Sequence, residues 1–275
     1  MGLRINTNVA SLAAQRQMSR SNSKLENTMK QLASGNRFAD PLESSAELGI
    51  SEHLRGQSAA LRASTRNADN AKSFVQVAEG GLNEQNNILI RMRELAIQSA
   101  SDTFGDRERD LLSMEFEELK KEFDRIAQST SYGRQKLLNG DEKTYEFQVG
   151  PYKAEENRIS YQSSTNTTAG KLEIDSLQVS DQSDARDSLK TIDNDLYELA
   201  QARASFGATQ SRLESVINHT SEQANLIEEA RSKLADTDVA KSVSQMYQQQ
   251  ALQQYQLAVL ANANQYPGSI LKLIA

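Results

Sequence analysis

Residues 189–234 read LKTIDNDLYELAQARASFGATQSRLESVINHTSEQANLIEEARSKL. Stepping alternately three and four residues visits Leu189, Ile192, Leu196, Leu199, Arg203, Phe206, Gln210, Leu213, Ile217, Thr220, Ala224, Ile227, Arg231 and Leu234. Ten of these fourteen positions are apolar. That spacing draws one narrow apolar seam along a helix, the pattern of coiled-coil packing. No proline interrupts it, and Gly207 is tolerable at about 1 kcal/mol. At 1.5 Å per residue the helix runs roughly 70 Å, far longer than a compact domain is wide. A seam this narrow cannot bury itself and needs partner helices of similar length.

Partners are available on both sides. Residues 46–100 keep helical spacing through Leu54, Leu61, Ala68, Ala71, Val75, Ala78, Leu82, Leu89, Met92 and Leu95. After a loop at Ser101–Asp106, a third helix gathers Leu112, Phe116, Leu119, Phe123 and Ile126 on one face. From Asn139 the period changes to two: Tyr145, Phe147 and Val149, then Ile159 and Tyr161, then Leu172 and Ile174. Interrupted by Gly150–Pro151 and a Ser/Thr-rich stretch, this predicts a small strand element with polar turns.

The two ends mirror each other. Residues 1–34 predict a helix with N-caps among Asn6, Thr7 and Asn8 and a stop at Gly35; its stripe is Met18, Leu25 and Leu32, with Leu12 and Met29 beside it. Residues 236–275 carry Val239, Val243, Met246, Ala251, Tyr255 and Ala258 among many glutamines, and Pro267–Gly268 predicts a break before Ile270, Leu271, Leu273 and Ile274. Both stripes are too thin to hold a lone helix, as in segments that fold on a partner.

Composition narrows the function. Of 275 residues 37% are hydrophobic and 5% aromatic, with no Trp, which suits long helices packed through Ala, Ser, Gln and Asn. A net charge of −6 disfavours nucleic acid; the six Lys/Arg against two Asp/Glu in residues 1–40 read as a solvated, slightly basic helix face. No cysteine means no disulfide, thiolate nucleophile or Cys-ligated zinc. The longest apolar run, Leu257–Ala261, cannot span a bilayer, and no run of signal-peptide length opens the chain. The sequence therefore predicts no membrane insertion and, if the chain leaves the cell, a route that reads no cleaved signal.

No chemistry-bearing constellation emerges. His53 and His219 each stand alone on a predicted helix, and there is no HExxH, phosphate loop or nucleophile elbow. Glu117–Glu118 and Glu228–Glu229 are adjacent in sequence and point apart on a helix. Asn166-Thr167-Thr168 fits a glycosylation acceptor, a triplet that arises easily by chance. Neither enzyme activity nor a cofactor or metal is expected.

Several longer motifs resemble bacterial flagellin. They are Leu3-Arg4-Ile5-Asn6-Thr7-Asn8-Val9, Leu32-Ala33-Ser34-Gly35-Asn36-Arg37, Arg66-Asn67-Ala68-Asp69-Asn70, Ala78-Glu79-Gly80-Gly81-Leu82-Asn83-Glu84 and Arg91-Met92-Arg93-Glu94-Leu95-Ala96-Ile97-Gln98-Ser99. At the far end Ala230–Asp238 and Val259–Gln265 match as well, so the resemblance covers roughly 1–140 and 186–275. The chain departs from the family pattern in the connector, at Pro41, Leu42, Ser44, Glu47 and Gly49, and at Tyr266-Pro267-Gly268.

The resemblance implies a mainly α fold: a long coiled-coil-like bundle built from both halves of the chain, with a small β-hairpin at its tip. Residues 1–45 and 236–275 would be terminal helices forming the inner filament tube, and 46–235 a helical rod with its β-region at about 141–175. The implied function is a secreted, extracellular structural subunit of the flagellar filament, a helical polymer that serves motility. The terminal helices would order on insertion, placing Met18, Leu25, Met29, Leu32, Val239, Val243, Met246, Tyr255 and Leu257 at subunit contacts. Implied partners are copies of the chain itself, a flagellar export chaperone of the type III export route, the filament cap and hook-junction proteins. Arg91, Leu95, Gln98 and Glu115 match the face bound by the flagellin-detecting Toll-like receptor of vertebrates; the same residues also suit subunit packing. Two rivals are a hook–filament junction protein, which resembles residues 66–99 less well, and a secreted surface-binding or adhesive protein using the 150–170 loop.

Overall fold

The computed structural model describes residues 8–39, 45–140, 143–162 and 165–274, the side chains of Gln162 and 266–274 excepted. Five helices dominate: α1 (Val9–Ser34), α2 (Ser45–Ser99), α3 (Asp106–Ser129), α4 (Gln182–Ala235) and α5 (Val239–Ile274). Two small antiparallel pairs lie between α3 and α4. These are β1 (Ser131–Tyr132) with β2 (Gln135–Lys136), and β3 (Thr144–Gln148) with β4 (Arg158–Gln162). The chain divides into two compact units, one of residues 1–58 and 225–275, the other of residues 59–224. The terminal unit therefore includes the first part of α2 and the last part of α4.

In the unit of residues 59–224, the heptad positions of α2 are filled in an unbroken three-four step. Leu61, Ser64, Ala68, Ala71, Val75, Ala78, Leu82, Gln85, Leu89, Met92, Ala96 and Ser99 are all buried. Along α4 the seam splits: Ile192, Leu199, Phe206 and Leu213, seven apart, are buried, while Leu189, Leu196, Arg203, Gln210 and Ile217 are half-buried. α2 and α4 run antiparallel. Arg93 Nε meets Asp193 Oδ1 at 2.7 Å and Lys72 Nζ meets Glu214 Oε2 at 3.6 Å, equal steps of three heptads along both helices. Phe116 and Phe123 of α3 complete the core at 0% exposure. Gly81 permits the close approach of the turn after α3, since a Cβ there would meet Thr130 Oγ1 at 2.6 Å.

The strand element is the expected hairpin, with Tyr145 opposite Tyr161 and Phe147 opposite Ile159. Phe74 of α2 anchors it through ring contacts at 4.8 Å to Tyr145 and 5.6 Å to Phe147, and Tyr161 lies 5.0 Å from Phe206. Leu172 and Ile174 do not continue the strands. They are buried in a loop whose next turn is a 3-10 helix, Ile174–Ser176, so their alternation records core packing with no ladder. That loop is held by buried polar groups. Lys120 Nζ donates to the carbonyls of Asp175 and Leu177, each at 3.0 Å, and Gln85 Nε2 donates to those of Phe123 at 3.3 Å and Thr167 at 3.1 Å. Asn166 accepts from Thr168 N and Oγ1, so the acceptor triplet is folded into a turn.

In the terminal unit, Asn8 caps α1, its Oδ1 accepting from Ser11 N at 3.0 Å, and Gly35 ends it in the left-handed region at φ 67°. Asn36 then bridges Asp236, and Thr237 N donates to Gly35 O at 2.9 Å. Part of the expected connector, residues 40–44, lies outside the described residues. α5 continues to Ile274, so the break expected at Pro267–Gly268 does not occur.

Candidate assembly interface

α1 packs on α5. The heptad positions of α1 are Ser11, Ala14, Met18, Ser21, Leu25, Thr28 and Leu32: the three hydroxyl residues are buried and the rest half-buried. On α5 the same step gives Ser242, Met246, Gln249, Gln253, Gln256, Leu260 and Ala263, with Ser242 buried and the others half-buried. Half of these positions are polar, and several of the polar ones join the two helices by hydrogen bonds. Ser11 Oγ donates to Asn264 Oδ1 at 2.8 Å, Gln256 Nε2 to Ser21 Oγ at 2.9 Å, and Gln253 Nε2 to Asn22 Oδ1 at 3.1 Å. Asn8 Nδ2 donates to the Ala263 carbonyl at 2.7 Å.

Many large apolar side chains of the pair are meanwhile uncovered. Leu12, Met29, Val239, Tyr247, Tyr255, Leu257 and Val259 are all exposed, Tyr255 by 73%. The nine residues expected at subunit contacts thus divide. Met18, Leu25, Leu32, Val243 and Met246 are half-buried, whereas Met29, Val239, Tyr255 and Leu257 are exposed. Sequence reasoning passed over the polar half of the seam. Its signal was the second seven-residue series, Ser21 to Thr28 on α1 and Ser242, Gln249, Gln256 on α5, read as dilution of a hydrophobic stripe.

In the other unit, Arg91 joins α2 to α3: its Nε and Nη2 reach Glu115 Oε1 at 2.9 and 2.7 Å, and its Nη1 reaches Glu94 at 3.0 Å. The hydrogen bond to Glu115, then that to Glu94, holds the guanidinium above its ordinary value. Gln98 is exposed, but Leu95 is wholly buried and cannot belong to the contact surface; it supports that face from beneath. Ile90, Ile97, Leu111 and Met114 are exposed on α2 and α3. Asp195 of α4 is 5% exposed, its Oδ2 has no hydrogen-bond partner, and burial, then Glu198 and Glu173, raise its carboxyl to about 7. Both histidines are exposed on helices. Among the described residues no group of His, Asp or Glu is placed to hold a metal ion, and no helix is long and apolar enough to cross a membrane.

A helix pair that leaves so many large apolar residues bare suits a subunit of a larger assembly, and comparison with known proteins agrees. The bacterial flagellin N-terminal helical region matches residues 5–143 and the C-terminal helical region residues 189–274. This chain belongs to the bacterial flagellin family. It is 32% identical to a flagellin of Halalkalibacterium halodurans over 270 residues, covering 98% of this chain and 99% of that one. A Bacillus subtilis flagellin is also 32% identical, over 303 residues, covering 99% of this chain and all of that one. The crystal structure of Bacillus cereus flagellin is similar with a TM-score of 0.51 at 26% identity, over 56% of this chain and 88% of that one. Membership makes the chain a structural subunit of the flagellar filament, polymerising with copies of itself in the service of motility.

Proposed function

We propose that the α1–α5 pair is the element that forms the inner tube of the filament and that it is completed only by neighbouring copies. The observation that carries this reading is the unfinished burial of the pair: its fully buried seam positions are Ser and Thr, its seam Met and Leu side chains are only half-covered, and Met29, Val239, Tyr255, Leu257 and Val259 stand outside it. Each such side chain is worth about 1.5–3 kcal/mol when buried, so several together offset the entropy of association. Heterologous contacts that do not close yield a helical polymer. α2, α3 and α4 serve as the rod, and Ile90, Ile97, Leu111 and Met114 make its lateral contacts.

Export as an unfolded chain through the type III route to the cell exterior follows from this division. The ends, held by exchangeable hydrogen bonds and half-covered apolar side chains, are the segments for an export chaperone to hold. The cap and hook-junction proteins meet the same apolar surfaces, and Arg91, Gln98 and Glu115 offer the face to a Toll-like receptor. No catalysis is assigned.

Deleting residues 236–275 tests the reading. The truncated chain is expected to stay soluble, with a melting transition for the rod, and to give no filaments by electron microscopy after salt-induced assembly. Filaments of normal appearance from that chain would overturn it.

A further inference from the structure

In an α-helix each backbone N–H bonds the carbonyl four residues earlier, so the donor for Ala263 O should be residue 267. Residue 267 is proline and has no N–H. α5 nonetheless continues through it to Ile274, and the Ala263 carbonyl receives a hydrogen bond at 2.7 Å from Asn8 Nδ2, 255 residues away in sequence. The same side chain uses its other end locally, Oδ1 accepting from Ser11 N at 3.0 Å as the cap of α1. With the amide oxygen facing a donor and the nitrogen facing an acceptor, one orientation satisfies both contacts. A single amide therefore closes the start of one terminal helix and repairs a gap in the other. Ser11 Oγ to Asn264 Oδ1, at 2.8 Å, lies directly beside it.

We propose that Asn8 is the positioning residue of the terminal pair, setting the register of α1 against α5 by donating to the Ala263 carbonyl that Pro267 leaves without its own helix bond. The rest of the seam cannot select a register as sharply. Its contacts are Ser, Asn and Gln side chains, and the glutamine-rich run 248–250 and 253–254 offers similar partners at neighbouring positions. Ala263 is different, because the missing N–H singles out one carbonyl on α5. The consequence for the filament rests on the reading of the pair as its inner tube; the register itself does not.

Hydrogen–deuterium exchange on filaments assembled from the full-length chain, where the pair is ordered, tests this, following amides of residues 9–34 and 239–265. Asn8→Asp keeps an N-cap acceptor but has no donor, and Asn8→Ser keeps a cap without the reach. Both are expected to speed exchange across the pair about tenfold, the scale of one unmade hydrogen bond. In a Pro267→Ala background, where residue 267 supplies the N–H itself, the same substitutions should change exchange less than about twofold. A merely structural Asn8 would show equal effects in both backgrounds. That result, or no effect in either, or free exchange of both helices in every variant, would overturn the proposal. Filament formation scored in parallel keeps the two readings apart: failure of the clamp leaves polymerisation as it was, and failure of the assembly reading leaves the exchange pattern standing.

Discussion

The rod and the terminal pair use one geometry with different fillings. α2 places Leu82, Leu89 and Met92 inside its seam at 0% exposure, whereas α1 places Ser11, Ser21 and Thr28 there and leaves Leu12 and Met29 outside. Both series step three and four, so both make helices that pair along a line. Packing is what separates them. The rod removes most of its large apolar side chains from water within one chain and leaves Ile90, Ile97, Leu111 and Met114 bare, while the terminal pair buries none of its described large apolar side chains fully.

The largest expected effect contrasts Leu89→Ala with Leu257→Ala. The first empties a fully buried site and should lower rod stability by about 2–5 kcal/mol, read by denaturant unfolding of the subunit. The second acts on a side chain 49% exposed and should change subunit stability by less than about 0.5 kcal/mol. It should instead raise the critical concentration for polymerisation roughly tenfold, from lost burial between copies. Equal behaviour of the two variants in both measurements would dissolve the contrast.

A smaller effect tests whether the rod interior tolerates charge. Asp195 is buried, and its carboxyl is raised to about 7 from an ordinary 3.8. Below that ordinary value the group is protonated in the folded and the unfolded chain alike. Between it and about 7 the unfolded chain releases a proton that the folded chain retains, so stability falls as pH rises through this window and levels off above it. Asp195→Asn should remove that slope and be more stable than the parent at pH 8 by on the order of 1–2 kcal/mol. Parallel stability–pH curves for the two proteins would refute this. The smallest effect belongs to the surface: Arg93→Ala breaks an exposed pair with Asp193 and should cost less than about 1 kcal/mol, shrinking further in high salt.

Much of the rod was legible because its apolar residues are its seam. The spacing of Ile192, Leu199, Phe206 and Leu213 identified the buried line of α4 without further knowledge. Gly35 was readable as a stop and Asn8 among the caps for local reasons. What escaped depended on distant groups. The alternation at Leu172 and Ile174 mimics a strand, but the loop is fixed by Lys120 and Gln85 from other helices, which no window of sequence contains. Pro267 reads as a breaker because the donor to Ala263 comes from the opposite end of the chain. The polar seam of α1 and α5 escaped for a different reason: hydrogen-bonded Ser and Gln at heptad positions look, in sequence, like weakness.

Joining Asn8 to Ala263 closes a loop of nearly the whole polypeptide, spanning 255 residues. Closing such a loop from a random coil is entropically costly, and the reward is a few exchangeable hydrogen bonds. Nearer contacts shorten it: once Ser58 reaches Glu228 and the Arg37 N–H reaches the Ala235 carbonyl, only the two terminal arms remain to meet. The chain's first and last helices are therefore its final acquisition during folding and its first loss during unfolding.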